Sequence, residues 1–145
     1  MKGKIAKYVT VGTNDLNRAK EFPLNKWLFA MGIHNFGESA ANECSRLHNN
    51  LSEIINSKLI EKIIQRWNIE EWIKSNPLKK IKSIKEETNR EKNITTYNSN
   101  RQQVDDINKI LGPYNIASEL GGVACKSLIA FFNSVNGKFT LEKLD

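Results

Sequence analysis

The chain is poor in the residues that metal centres and covalent chemistry need. Its 145 residues include two cysteines, Cys44 and Cys125, and two histidines, His34 and His48. Two isolated cysteines and two scattered histidines do not give the ligand spacing of a four-coordinate zinc site. The expectation is two buried, reduced thiols in a cytoplasmic protein rather than a disulfide. Cys125 has no histidine near it in sequence and sits beside Val123 and Ala124, which look like core, so it is a poor candidate nucleophile. The adjacent carboxylates Glu86-Glu87 and Asp105-Asp106 read as solvent-facing rather than as an acid/base pair. No catalytic residue and no metal ligand is therefore expected. No apolar run approaches membrane-spanning length and no signal peptide is visible at Met1, so no membrane partner is expected either. Prolines number three, and Pro23, Pro77 and Pro113 each fall at an expected helix boundary.

What is present is a globular composition, with 39% hydrophobic and 26% charged residues. The length suits one compact domain, or a core with a long arm. Lysine and arginine exceed aspartate and glutamate by 22 to 16, giving a net charge of +6. That balance suits a nucleic-acid partner without specifying one.

Periodicity predicts an all-α fold. A short strand or extended lead-in is expected over residues 4–11, then a helix over residues 15–21 opened by Asn14 and Asp15. Leu24, Trp27, Leu28 and Met31 form one apolar helical face, which Gly32 ends. A second helix is expected over residues 38–48, with Ala40, Ala41, Cys44 and Leu47 inward. A third begins near Lys58, with Leu59, Ile60, Ile63, Ile64 and Trp67 as its stripe and a break near Asn68. Residues 74–100 are polar, and residues 74–109 hold nine basic and five acidic side chains. They read as part solvated helix and part mobile arm. Residues 101–111 look helical, with Val104, Ile107, Ile110 and Leu111 in register, and Gly112-Pro113 stops them. A short helical turn is expected over residues 116–119. A helix from Gly121 then places Ala124, Leu128, Phe131 and Phe132 on one face, and a last helix spans residues 140–144.

Two matched segments, residues 28–41 and 116–128, stand about 85 positions apart. Each reads as helix, tight glycine turn and second helix, with a glycine where the second helix begins. The first backbone N–H groups of a helix have no internal partner, and its dipole adds about half a positive charge there. Glycine lets a phosphate approach that backbone unobstructed. At the first turn, Asn35, Gly37 and Glu38 are the candidate phosphate contacts and Phe36 the inward anchor. At the second, Gly121, Gly122 and Lys126 are the candidates and Leu120 the anchor. Such contacts fix register on a duplex and read no bases. A glycine between helices also serves as a C-cap or a close-packing site, and Lys126 alone also fits a solvated face. Trp27, Trp67 and Trp72 fit core or interface positions.

The run Pro-Leu-x-x-Trp-Leu-Phe-Ala-Met-Gly-Ile-x-x-x-Gly-Glu from Pro23 to Glu38 resembles a helix-hairpin-helix segment of bacterial NAD-dependent DNA ligase. Residues 119–128, Glu-Leu-Gly-Gly-Val-Ala-Cys-Lys-Ser-Leu, with Phe131-Phe132 and Leu141-Glu-Lys-Leu144 after them, resemble the last hairpin of the same domain. The resemblance covers residues 18–65 and 116–144. It implies four parts: a lead-in with a short helix (1–22), a first helix-hairpin-helix unit (23–67), a polar helical or flexible insertion (68–113) and a second unit (114–145). Asn35 and Glu119 stand where a first glycine is usual, and Gly122 replaces a proline. The resemblance implies sequence-independent binding to nicked double-stranded DNA during replication and repair. It also implies a bacterial cytoplasmic, nucleoid-associated location and the remaining ligase domains as partners. NAD and a divalent metal belong to the full-length family. The chain shows no Lys-x-Asp-Gly adenylation motif and no four-cysteine zinc module, so by itself it is expected neither to bind a cofactor nor to seal a nick.

Two other readings make distinct predictions. A helical protein-interaction module would dock a partner on its arm. Residues 8–22 are also similar to the opening strand and helix of the glyoxalase-like vicinal-oxygen-chelate family, with Tyr8 where a histidine ligand is common. A metalloenzyme of that kind needs strands after residue 40.

Overall fold

The chain enters its core through an antiparallel ribbon. The structure, a computed structural model, describes residues 8–12 and 19–144. Strand β1 (Tyr8–Gly12) pairs with β2 (Ala19–Pro23), with Tyr8 opposite Pro23 and Val9 opposite Phe22. The helix expected over residues 15–21 is corrected here: residues 19–21 are strand, and residues 13–18 lie outside the described residues. Pairing with β1 overrides the local helical pattern, and it brings Val9 into the core. A single bridge joins Val11 to Leu144 near the other end of the chain. Among the described residues no β-strand follows residue 40, so the oxygen-chelate expectation finds no sheet.

Among the described residues every other element is a helix, in line with the all-α expectation. Helix α1 (Leu24–Ala30) buries Leu24, Trp27 and Leu28, and Gly32 turns the chain just after it with a left-handed φ of +63° that favours glycine. Helix α2 (Glu38–Leu47) packs back on α1 through Ala40, Ala41 and Cys44. Helix α3 (Leu51–Ile55), absent from the sequence expectation, is capped by Asn50, which accepts the Glu53 N–H at 2.8 Å. Helix α4 (Lys58–Ser75) is capped by Ser57 and runs through Asn68 without the expected break.

The polar segment is more ordered than its composition suggests. After α5 (Leu78–Lys82), helix α6 extends over Glu87–Leu111, so the expected mobile arm is helix instead. Half-buried Ile94 and Tyr97 interrupt its polar surface, and the helix packs along α4. Residues 116–119 form an extended stretch and a turn rather than a helix, and a 3-10 turn at Gly112–Tyr114 ends α6 instead. Helix α7 (Gly122–Asn133) leads into α8 (Val135–Glu142), which starts before the expected residue 140 because Ser134 caps it, accepting the Gly137 N–H at 2.9 Å. Gly137 lies inside that helix against the Phe131 carbonyl, where a β-carbon has no room.

One apolar cluster joins α1, α2, α3, α4, the end of α6 and α7. It includes both cysteines, which are buried and reduced. Burial pushes the Cys125 thiol up to about 12, with Arg66 opposing weakly, so the group is a neutral core thiol.

Candidate functional site

The two bends share their backbone at the glycine and its hydrogen bonds, but differ two residues earlier, where Asn35 has a left-handed φ of 56° and Glu119 does not. In the first, the Phe36 N–H donates to the Ile33 carbonyl at 3.1 Å; in the second, the Leu120 N–H donates to the Ala117 carbonyl at 3.0 Å. Gly37 precedes α2 at φ −86° and ψ −167°, and Gly121 precedes α7 at φ −92° and ψ −170°. The Gly37 carbonyl accepts from Ala41 at 2.9 Å and the Gly121 carbonyl from Cys125 at 3.0 Å. Phe36 and Leu120 are both buried, as expected of anchors. Asn50, Ser57 and Ser134 cap α3, α4 and α8 with side-chain oxygens, whereas no side chain caps α2 or α7, nor α1, α5 or α6. The first amides of these two helices therefore keep their capacity to donate outward.

The side chains differ between the bends. In the first, Asn35, Gly37 and Glu38 are all exposed. Asn35 takes a left-handed φ of 56°, which asparagine tolerates better than most residues. Gly37 has open space where a β-carbon would stand. In the second, Gly121 is half-buried and Gly122 is buried beneath Trp67, which a β-carbon would overlap. Gly122 thus serves close packing between α7 and α4. Lys126 stands one turn along, exposed, with its ammonium 4.5 Å from the centre of the Trp67 ring and 3.3 Å from Asn68 Oδ1. The sequence expectation did not place Trp67 and Asn68 at this bend. Asn68 lies 58 positions before Lys126, with Trp67 beside it, and the continuous α4 brings both there.

Each bend also lies beside the helix that follows the other. Glu43 on α2 accepts the Ala117 N–H at 2.6 Å, and Arg46 Nη2 donates to the Tyr114 carbonyl at 2.9 Å. Arg46 also grips Glu43 with both arms, at 2.7 and 2.9 Å. That hydrogen bond to Arg46 is the main cause that holds the Glu43 carboxyl below its ordinary range, with the Ala117 amide adding to it against an opposing desolvation. On the other side, Met31, Gly32, Ile33 and His34 of the first bend share a cleft with Ser127 and Ala130 of α7. Counting from the two glycines, Ser127 and Ala130 occupy the positions on α7 that Glu43 and Arg46 occupy on α2. Each bend thus borders the helix that follows the other, through hydrogen bonds on one side and across a cleft on the other.

The chain is similar to a DNA ligase. That protein, from Akkermansia muciniphila, is 27% identical over 145 residues, a match spanning 89% of this chain. The chain spans 18% of the ligase's length. No family model and no solved structure matches. Among the described residues no three histidine, cysteine, aspartate or glutamate side chains gather as metal ligands, and no helix is long and apolar enough to cross a membrane.

Proposed function

We propose that this chain holds double-stranded DNA by its backbone, as the helix-hairpin-helix part of a ligase-type protein that acts on nicked duplex in replication and repair. In this reading residues 23–67 and 114–145 are the two gripping units and residues 68–113 the insertion between them. The remaining ligase domains do the chemistry, with NAD and a divalent metal bound there, and the protein works on bacterial DNA in the cytoplasm. One observation carries the proposal: two bends with matching backbone at the glycine, each opening a helix that no side chain caps, in a chain similar to a DNA ligase.

The amides near Gly37 and Glu38 take a phosphate of one strand, with Asn35 setting the turn. Those at Gly121 and Gly122 take a phosphate of the other, with Lys126 adding its charge. Glu38 and Glu119 temper the affinity through like charge, which favours a grip that releases.

Fluorescence anisotropy with nicked and intact duplex tests this. The dissociation constant should rise steeply with salt, with a log–log slope of roughly −0.9 for each phosphate neutralised. Gly37→Asp is the discriminating variant. The space beside Gly37 is open and its backbone unstrained, so aspartate there caps α2 and leaves stability unchanged or raised by a few tenths of a kcal/mol. It places a carboxylate where the phosphate sits, and affinity should fall by roughly ten-fold or more, the value of one charge-assisted contact. Salt-insensitive binding, or a Gly37→Asp protein that binds like the parent, removes the proposal.

A further inference from the structure

The insertion concentrates the chain's charge imbalance in one place. Residues 74–85 contain Lys74, Lys79, Lys80, Lys82 and Lys85 and no acidic residue, while the whole chain has a net charge of +6. All five lysines are exposed. Among the described residues no ion pair includes any of them. Lys80 Nζ donates to the Ser75 carbonyl at 3.3 Å. Glu86 and Glu87 border the group where α6 begins, a position that the helix dipole favours for acids.

These lysines stand on a built platform. Ile81 is only 2% exposed although it lies outside the main apolar cluster, so the tip has a small core of its own. Arg90 Nη1 donates to the Ile84 carbonyl at 3.0 Å, the Ser83 hydroxyl donates to the Lys80 carbonyl at 2.6 Å, and α5 packs on α6. The platform is also remote. The buried residues of α4 are Ile60 and Ile63, and those of α6 are Val104, Ile107 and Leu111. From Ile63 to Ser75 the helix rises about 18 Å. A folded tip that carries unpaired like charges at the end of a two-helix arm meets self-repulsion, which an anionic polymer relieves.

We propose that this lysine tip is a second phosphate-binding surface, gripping the duplex beyond the stretch held by the two bends. The inference rests on the duplex-binding reading above and enlarges its footprint. Charge complementarity selects the partner: lysine ammoniums are point charges suited to phosphate rails and blind to base sequence.

The test is a salt titration of duplex binding with three versions of this 145-residue chain: the parent, Lys79→Gln/Lys80→Gln/Lys82→Gln/Lys85→Gln, and Gly37→Asp/Gly121→Asp. Circular dichroism and thermal melting establish that each is folded. With two or three of the lysines on phosphates, the log–log slope of the tip variant should be shallower by about two to three than that of the parent. An unchanged slope and affinity overturns the inference and turns the patch toward an acidic protein. If the glycine variant binds like the parent while the tip variant loses binding, the bends fail as the grip and the tip stands. If the parent does not bind duplex at low salt, both fall.

Discussion

Three glycines of the bends occupy three different situations, and one mutation at each would have a different outcome. Gly37 faces open space, Gly121 is held close to the Ser118 carbonyl, and Gly122 lies under Trp67. Gly122→Ala should lower stability by about 1–3 kcal/mol, the usual penalty for overpacking, measured by urea unfolding. Glu43 gives a pH prediction. Its carboxyl is held below the ordinary range chiefly by the Arg46 hydrogen bond, so its contribution is present above the unfolded carboxylate pKa and lost as pH falls through the folded value. Glu43→Gln should cost about 1 kcal/mol at neutral pH, since Arg46 is half exposed and screened, and the gap should close as pH falls below the ordinary carboxylate range. Individual anchors were legible in the sequence. Phe36 and Leu120 precede their glycines in the same place, and both are buried. The partners of Glu43 were not legible, because Ala117 and Tyr114 come from a loop with no helical period to place them.

Helices with a clean apolar stripe appear where the sequence predicts them, and departures have local causes. Helix α4 ignores the break expected at Asn68 because half-buried Trp67, Ile69, Trp72 and Ile73 continue its inner face around the polar residue. The first part of α6 is legible in the sequence only as part solvated helix and part arm, because its first sixteen residues contain few large apolar side chains; α4 beside it supplies the missing surface. The start of α4 depends on Ser57. Its hydroxyl oxygen accepts the Ile60 N–H at 3.1 Å and meets His48 Nε2 at 2.6 Å. His48 Nδ1 lies 2.7 Å from the Cys44 carbonyl, which only accepts, so Nδ1 bears the proton and in the neutral ring Nε2 accepts from Ser57. Ser57→Ala therefore removes a helix cap and a partner of a buried imidazole together. Thermal melting should register a loss of about 2 kcal/mol, above the roughly 1 kcal/mol of a cap alone.

At the scale of the molecule, one core serves both bends. Cys44 follows the first and Cys125 the second, and both lie in the same apolar cluster. Thiol labelling under native conditions should therefore modify the two cysteines at a common rate set by global opening, and mild denaturant should raise both rates together. Unequal rates would mean that one hairpin opens without the other. The closeness of each bend to the other's helix was invisible in the sequence, since the matched segments give the likeness of the parts and not how they meet.

The contact between position 122 and the indole at position 67 ties two distant codons together. A chain that gains a methyl at one of them regains its fit only by giving up ring volume at the other. Trp67→Leu introduced beside Gly122→Ala should return part of the lost stability, although Trp67→Leu alone is harmful. Across descendants of this chain, glycine and tryptophan at these sites should be inherited or replaced as a couple.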